Sequence, residues 1–366
     1  MASEQRDVLY SGWFCREMKT AWARRRRGHQ RSPHAMDTFL AAVQQRSLAA
    51  SLPPSEPRDA CCEKYKQIFV LRNRNDKAAV DELIALFHST GSVLLRHEVA
   101  YTMGQMQRID AVPFLEGLLT DEAEDPITRH EAAEALGAIE APESLDILAR
   151  HAADAASEVS ETCGLALAQL NYQIAKGVCG CERRPQEALR REGLVVDETE
   201  EEAAVCSRRP ASPPPPPTTP IYTYVSPAPA AKAAPLSELR QRLLDRQQPL
   251  FERYRALFAI RDMVPAEGLG AVNALCECLA TKPEEESALL KHEIAFVLGQ
   301  LEHPAAGDAL CDAVKREEEH GMVRHEAAEA LGAIGSQQAI DTLRQYSDHK
   351  VEILRESCWV ALMWLD

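Results

Sequence analysis

The sequence predicts an all-α protein, an α-solenoid of helical-hairpin repeats arranged as two duplicated halves of about four repeats each. Three observations carry that prediction. Alanine and leucine dominate the apolar set, with 45% of residues hydrophobic but only 5% aromatic, a composition that favours helices over sheets. The dipeptides His97-Glu98, His130-Glu131, His292-Glu293 and His325-Glu326 recur with a 33-residue step inside each pair and a 195-residue step between the pairs. Arg129 to Ile139 recurs unchanged as Arg324 to Ile334. A fixed period of this length is the mark of a stacked repeat architecture.

Other positions extend the register. Gly104-Gln105 matches Gly299-Gln300, and Glu161-Thr162-Cys163 matches Glu356-Ser357-Cys358, both at the 195-residue offset. Lys64-Tyr65-Lys66 pairs with Arg253-Tyr254-Arg255 at 189, so the second half carries six more residues before its first His-Glu. Each unit of 31–38 residues reads as two helices. Ala133, Leu136 and Ile139 give one helical face, and the stretch from Ser144 to Leu148 follows the Pro142 break. Gly137 and Gly332 sit where a glycine ends a helix or lets a neighbour come close. The terminal units, near Tyr65, Glu161, Tyr254 and Glu356, lack the histidine and cap the stack, because a repeat cannot bury its apolar face alone.

Four segments result: an N-terminal extension over 1–61, a first repeat half over 62–175, a linker over 176–235 and a second repeat half over 236–366. The linker holds the acidic run Asp197 to Glu202 and the proline run Pro213 to Pro217. Such composition buries too little apolar area to offset the entropy of ordering, so it reads as an extended spacer. The extension reads as disordered. Its Arg24 to Arg27 run is a weak nuclear-localisation patch, its acidic residues argue against a mitochondrial presequence, and Met36 offers an alternative start.

A net charge of −15 argues against general nucleic-acid binding and suits a basic protein partner or a cationic substrate. No stretch approaches the roughly 18–20 apolar residues of a membrane span, and no secretory signal opens the chain, so a reducing compartment, the cytoplasm, is expected. The eleven cysteines are scattered. Cys179 and Cys181 form a lone CxC without a second pair to complete a tetrahedral site, and Cys163 and Cys358 fall at matching core positions.

Imidazole plus carboxylate on repeated positions points to metal. Packed helices lie about 8–10 Å apart, so histidines from adjacent units, such as His97 and His130, can converge on one ion. That gives one cluster per half and a two-metal site where the halves face each other. Neighbouring residues on a helix point about 100° apart, so within a dipeptide the histidine can ligate while the glutamate bridges or faces substrate. Glu134 and Glu329 lie one turn after His130 and His325 and are candidates to orient those imidazoles, although surface charge explains them equally well. A lone His-Glu on a helix is usually a solvated pair. Here the flanks have diverged between the halves (Tyr101 against Phe296, Met106 against Leu301) while the dipeptides persist. Neither HExxH, a phosphate loop, a dinucleotide fingerprint nor a GxSxG elbow is present. Ligation by nitrogen and oxygen alone leaves iron, manganese and zinc open.

The four His-Glu motifs, the RHEAAEALGAI blocks and the two-half layout resemble the deoxyhypusine hydroxylases, di-iron monooxygenases built from HEAT repeats. The resemblance covers about residues 62–175 and 236–366; the extension and the long proline-rich linker depart from the compact family pattern. It implies hydroxylation of the deoxyhypusine side chain of a eukaryotic translation initiation factor to hypusine, with two iron ions, O2 as co-substrate and an external electron donor. The ligands it implies are His97, His130 and Glu131 from the first half and His292, His325 and Glu326 from the second. Glu98 and Glu293 are further ligands or the carboxylates that hold the substrate amines. Two alternatives stay open on the residues alone: a non-enzymatic HEAT-repeat scaffold that binds a protein partner, and a dizinc or dimanganese hydrolase.

Overall fold

A computed structural model describes residues 56–176 and 224–365. Among these residues the regular structure is helical throughout, with no strand. The first half comprises α1 (Arg58–Arg74), α2 (Lys77–His88), α3 (Val93–Met106), α4 (Val112–Thr120), α5 (Pro126–Ala138), α6 (Leu145–His151) and α7 (Ser157–Ala175). The second comprises α8 (Leu236–Leu244), α9 (Leu250–Glu267), α10 (Leu269–Leu279), α11 (Ala288–Leu301), α12 (Gly307–Lys315), α13 (Gly321–Ile334), α14 (Gln337–Tyr346) and α15 (Glu352–Met363). The all-α hairpin-repeat reading holds. Arg24 to Arg27, Met36, Cys179, Cys181 and the acidic and proline runs lie outside the described residues.

Local chemistry starts the helices where the repeat needs them. Ser92 and Ser287, at matching positions, cap α3 and α11 by accepting the amides of Leu95 and Leu290 at 3.1 Å. Asp125 accepts the amide of Ile127 at 2.9 Å and Pro126 opens α5, where its missing N–H costs nothing. Gly335, at φ 61°, ends α13 in the left-handed conformation open to glycine without strain.

The long helices of successive hairpins pack side by side. Gly104 of α3 faces Ala135 of α5 so closely that a Cβ on the glycine would lie 2.8 Å from the alanine Cα. Gly299 repeats this against Ala330, Gly137 against Ala166, and Gly332 against Ala361. Of the two roles open to Gly137 and Gly332, close approach is the one they serve; both lie inside their helices. Cys163 and Cys358 are fully buried core thiols, which burial pushes up to about 12.

A second device locks each hairpin. The basic residue just before the repeated position folds back on a carbonyl ten residues upstream: Arg129 on Leu119 at 3.1 Å, Arg253 on Leu243 at 2.8 Å, Lys291 on Thr281 at 2.8 Å and Arg324 on Val314 at 3.0 Å. Its charge then meets a carboxylate in the next loop, as in Arg96 with Glu124 at 2.7 Å, Arg129 with Asp154 at 2.5 Å, and Lys291 with Glu319. At Arg129 and Lys291 carbonyl and carboxylate together fix the rotation of the helix, and with it the direction of the next side chain, the histidine; at Arg253 they fix that of Tyr254.

The two halves are not beads on a string. α7 packs on α9 and α11, and α15 packs on α1 and α3, so the long helices form a closed circuit. Each half's core takes in residues from the other: Leu165 of α7 belongs to the second core, and Ile353 and Val360 of α15 to the first. Two expected boundaries also move. α1 begins at Arg58, four residues before the expected start of the first half. Residues 224–235, read as spacer, lie against the helices, with Ala228 fully buried and the Ala231 amide bonded to the Arg255 carbonyl at 2.8 Å. The small apolar side chains of that stretch, Ala228, Ala231 and Ala234, pack on the core of the second half.

Candidate metal centre

Closing the circuit brings all four dipeptides to its centre. His97 and Glu98 come from α3, His130 and Glu131 from α5, His292 and Glu293 from α11, and His325 and Glu326 from α13. His130 and His325 are fully buried, and the other six are at least nine-tenths buried. The His97 ring centroid lies 5.6 Å from His130, 6.1 Å from His292 and 5.1 Å from His325, and His292 lies 5.4 Å from His325. The imidazoles therefore form one group spanning the halves, in which the first-half pair His97 and His130 and the second-half pair His292 and His325 lie against each other. Three sets have ligand atoms mutually within 4.8 Å: His97 with His130 and His292, His292 with His325 and Glu326, and His130 with Glu131 and Glu134.

The donor set fits a cation. None of the eight nitrogens of these four imidazoles has a hydrogen-bond partner, a state that buried polar groups rarely tolerate. Glu131 Oε2 stands 3.1 Å from His97 Nε2, and Glu326 Oε2 stands 3.3 Å from His292 Nε2, close but not aligned as hydrogen bonds. In each case a carboxylate from one helix approaches the histidine of its neighbour.

The electrostatics agree. Burial and the neighbouring imidazoles hold His130 and His325 well below the usual histidine range, and burial with the proximity of His97 takes His292 down to about 3. His97 goes the other way: burial opposes its protonation, but Glu131 and Glu98 outweigh it and push the ring up. Burial and then Glu326 raise Glu293 to about 8; burial and then Glu98 raise Glu326 to the same value. Acids this reluctant to ionise, beside three imidazoles this reluctant to protonate, describe a pocket short of positive charge, which among the four histidines only His97 supplies.

Glu134 and Glu329 are in the site but do not orient imidazoles. Glu329 lies 3.7 Å from His325 Nδ1, and its oxygens accept instead from the Tyr65 hydroxyl at 2.9 Å and Ser357 at 3.1 Å. Glu134 accepts from the Tyr224 hydroxyl at 3.1 Å, which also lies 3.3 Å from Glu293. Tyr65 and Tyr224 are site residues that the sequence reading missed. Tyr65 appeared there only as a repeat match to Tyr254, and Tyr224 lay inside apparent spacer with no periodic signal. Tyr101 and Phe296, one turn beyond His97 and His292, meet at 6.0 Å between centroids and close the centre beside Tyr224.

Among the described residues no helix is long and apolar enough to cross a membrane. The HEAT-repeat family profile matches residues 80–168 and 272–363. Deoxyhypusine hydroxylase of Bos taurus is 40% identical over 309 residues, covering 84% of this chain and 86% of its own. The Homo sapiens enzyme is 39% identical over 307 residues, covering 84% and 87%, and that of Danio rerio 37% over 303, covering 83% and 86%. A solved structure of human deoxyhypusine hydroxylase in complex with glycerol covers 91% of this chain and 97% of its own, at a TM-score of 0.67 and 37% identity. Identity of this order across more than four-fifths of both chains sets the non-enzymatic scaffold aside: the chain belongs to the deoxyhypusine hydroxylase family, whose monooxygenases convert deoxyhypusine to hypusine.

Proposed function

We propose that the chain performs this hydroxylation on a eukaryotic translation initiation factor, at a centre of two iron ions, with O2 as co-substrate and two electrons from an external donor. The observation that carries the reading is the convergence of four buried histidines whose eight ring nitrogens have no hydrogen-bond partner. His97, His130 and Glu131 would hold one ion, and His292, His325 and Glu326 the other; the His97–Glu131 and His292–Glu326 approaches support that division. When bound, the ions supply the activation of O2 that inserts one oxygen atom into a substrate C–H bond.

The protein's own part is positioning and charge. Six carboxylates face the centre: Glu98, Glu131, Glu134, Glu293, Glu326 and Glu329. Two divalent ions balance four of those charges. The remaining two match a deoxyhypusine side chain, which carries two ammonium groups, so Glu98 and Glu293 are assigned to the amines. Tyr101 and Phe296, whose rings meet one turn beyond His97 and His292, supply aromatic surface that shields the centre from water. The net charge of −15 favours approach of a basic substrate loop. A translation factor as substrate places the enzyme in the cytoplasm.

The test is metal content together with the visible spectrum of the full-length protein reconstituted anaerobically with ferrous iron, then exposed to air. About two irons per chain with a charge-transfer band supports the reading. Folded protein that binds no iron, or binds zinc without a visible band and still turns over, removes it. Glu98→Gln and Glu293→Gln should raise KM for the deoxyhypusine-bearing protein about tenfold or more, the loss of one charge-assisted contact each.

A further inference from the structure

The two sides of the centre differ in how their outer carboxylates are satisfied. On the Glu329 side, both oxygens have partners from rigid helices, Tyr65 of α1 and Ser357 of α15. On the Glu134 side, repeat symmetry would send Tyr254, the match of Tyr65, to Glu134, yet its hydroxyl donates to the Leu289 carbonyl at 3.0 Å. Tyr224 takes the place instead. Its single phenolic proton must serve two carboxylates, Glu134 Oε1 at 3.1 Å and Glu293 Oε2 at 3.3 Å. The other oxygens, Glu134 Oε2 and Glu293 Oε1, are buried without any hydrogen bond. Glu134 is 8% exposed and Glu293 2%, so bulk solvent does not reach these oxygens. A cluster of two buried carboxylates with one shared proton is a site for a donor with several N–H bonds and a positive charge.

The segment that carries Tyr224 is attached unevenly. Near the tyrosine it is held by side chains: the Val225 amide donates to Gln105 Oε1 at 3.0 Å, Gln105 Nε2 reaches the Val225 carbonyl at 3.5 Å, and Arg261 donates to Ser226 at 3.4 Å. Farther on it is held by the chain itself, through buried Ala228 and the bond from the Ala231 amide to the Arg255 carbonyl. The Tyr224 ring lies on Phe296 at 4.6 Å and over Tyr101 at 6.4 Å, and the ring is half-buried. Gln105 belongs to the first half and Arg255 and Arg261 to the second, so the strap crosses the seam above the metal ligands.

We propose that Tyr224 is a gate residue, its phenol holding the place of a substrate ammonium between Glu134 and Glu293, and that the strap releases Gln105 and turns Tyr224 out when the deoxyhypusine side chain enters. The inference rests on the assignment of Glu293 to a substrate amine. It adds Glu134 as the second wall of that subsite and names the segment that must yield. Tyr224 acts by occupying the site, and no bond to it is made or broken.

The test uses the full-length, iron-loaded enzyme with the deoxyhypusine-bearing protein, anaerobically and without reductant, so that binding is read without turnover. Tyr224→Phe keeps the ring on Phe296 and removes the competing hydroxyl; substrate should bind about tenfold tighter. In the unmutated enzyme, substrate should speed hydrogen exchange at the Val225 amide and leave the Ala231 amide protected, a response that a purely structural tyrosine does not give. Unchanged or weaker binding by the Phe variant overturns the gate, as does greater protection of Val225, which would mean that the strap closes over the substrate. Glu293→Gln separates the two levels: if it binds substrate as well as the parent, the amine assignment fails and takes the gate with it. If it binds weakly while Tyr224→Phe does not tighten, the gate alone fails.

Discussion

Ser92, at the head of α3, donates its hydroxyl to Glu356 of α15 at 2.5 Å, across the seam between the halves. The matching pair, Ser287 to Glu161 of α7, spans the other seam at 2.6 Å. Each serine also caps the helix that presents a His-Glu dipeptide, so closure of the circuit and placement of the ligands share an atom. Glu161 and Glu356 stand in the terminal repeats, which lack the histidine.

Ser92→Ala should therefore cost about 1–3 kcal/mol, because it strands a buried carboxylate and removes a helix cap. Urea unfolding read by far-UV circular dichroism measures it. Burial raises Glu356 to about 7, above its unfolded value. This raised group contributes stability at low pH that is lost as pH climbs through about 7. Glu356→Gln should flatten the dependence between pH 5 and 8; an unaltered slope would refute the assignment.

Metal removal should leave a protein whose stability falls with pH. With Glu293 and Glu326 raised to about 8, the apo centre keeps protons that the unfolded chain has released, so stability declines as pH rises through about 8. Metal binding must expel those protons. Calorimetric titration at pH 7 in buffers of different ionisation enthalpy should show net proton release, and metal should raise Tm most at the alkaline end.

His130→Ala should lose iron and hydroxylation together. His130 is assigned to one of the two ions, so about half of the iron should be lost, and turnover, which needs both ions, should be lost with it. Iron analysis beside a hydroxylation assay decides it; full iron content with full turnover contradicts the ligand set.

Lys291 is fully buried with Glu319 and the Thr281 carbonyl. Lys291→Met should destabilise by about 1–3 kcal/mol, since it takes one of two cations from the buried Glu319, which keeps Arg316 at 2.9 Å, and leaves the Thr281 carbonyl without its ammonium, whereas Lys291→Arg should be tolerated, because arginine fills the same place at Arg96, Arg129, Arg253 and Arg324. Thermal melts of the two variants separate the charge from the shape.

Gly332→Leu should be more severe than a surface change. Even a Cβ would sit 2.8 Å from that of Ala361, and backbone on both sides leaves nothing to move but the helices. A loss of about 1–3 kcal/mol is expected from overpacking, with a matching drop in iron retention because α13 carries His325 and Glu326.

The sequence by itself determined the all-α repeat architecture, the duplication and the eight His-Glu residues. A fixed repeat period puts the same position on the same face of every hairpin, so what happens at one unit is legible at all. The glycines and the buried Cys163 and Cys358 follow from the same register. What only the tertiary structure decided is everything that depends on the relation between halves. The imidazoles merge into one group across the seam, Ser92 meets Glu356, Tyr65 reaches Glu329 over 264 residues of chain, and Tyr224 leaves apparent spacer to sit on Glu134 and Glu293. A local period carries no information about how its two ends meet. Closure is set by the packing of α7 on α9 and of α15 on α1, contacts between residues far apart in the chain, whose complementarity appears only once both halves are folded.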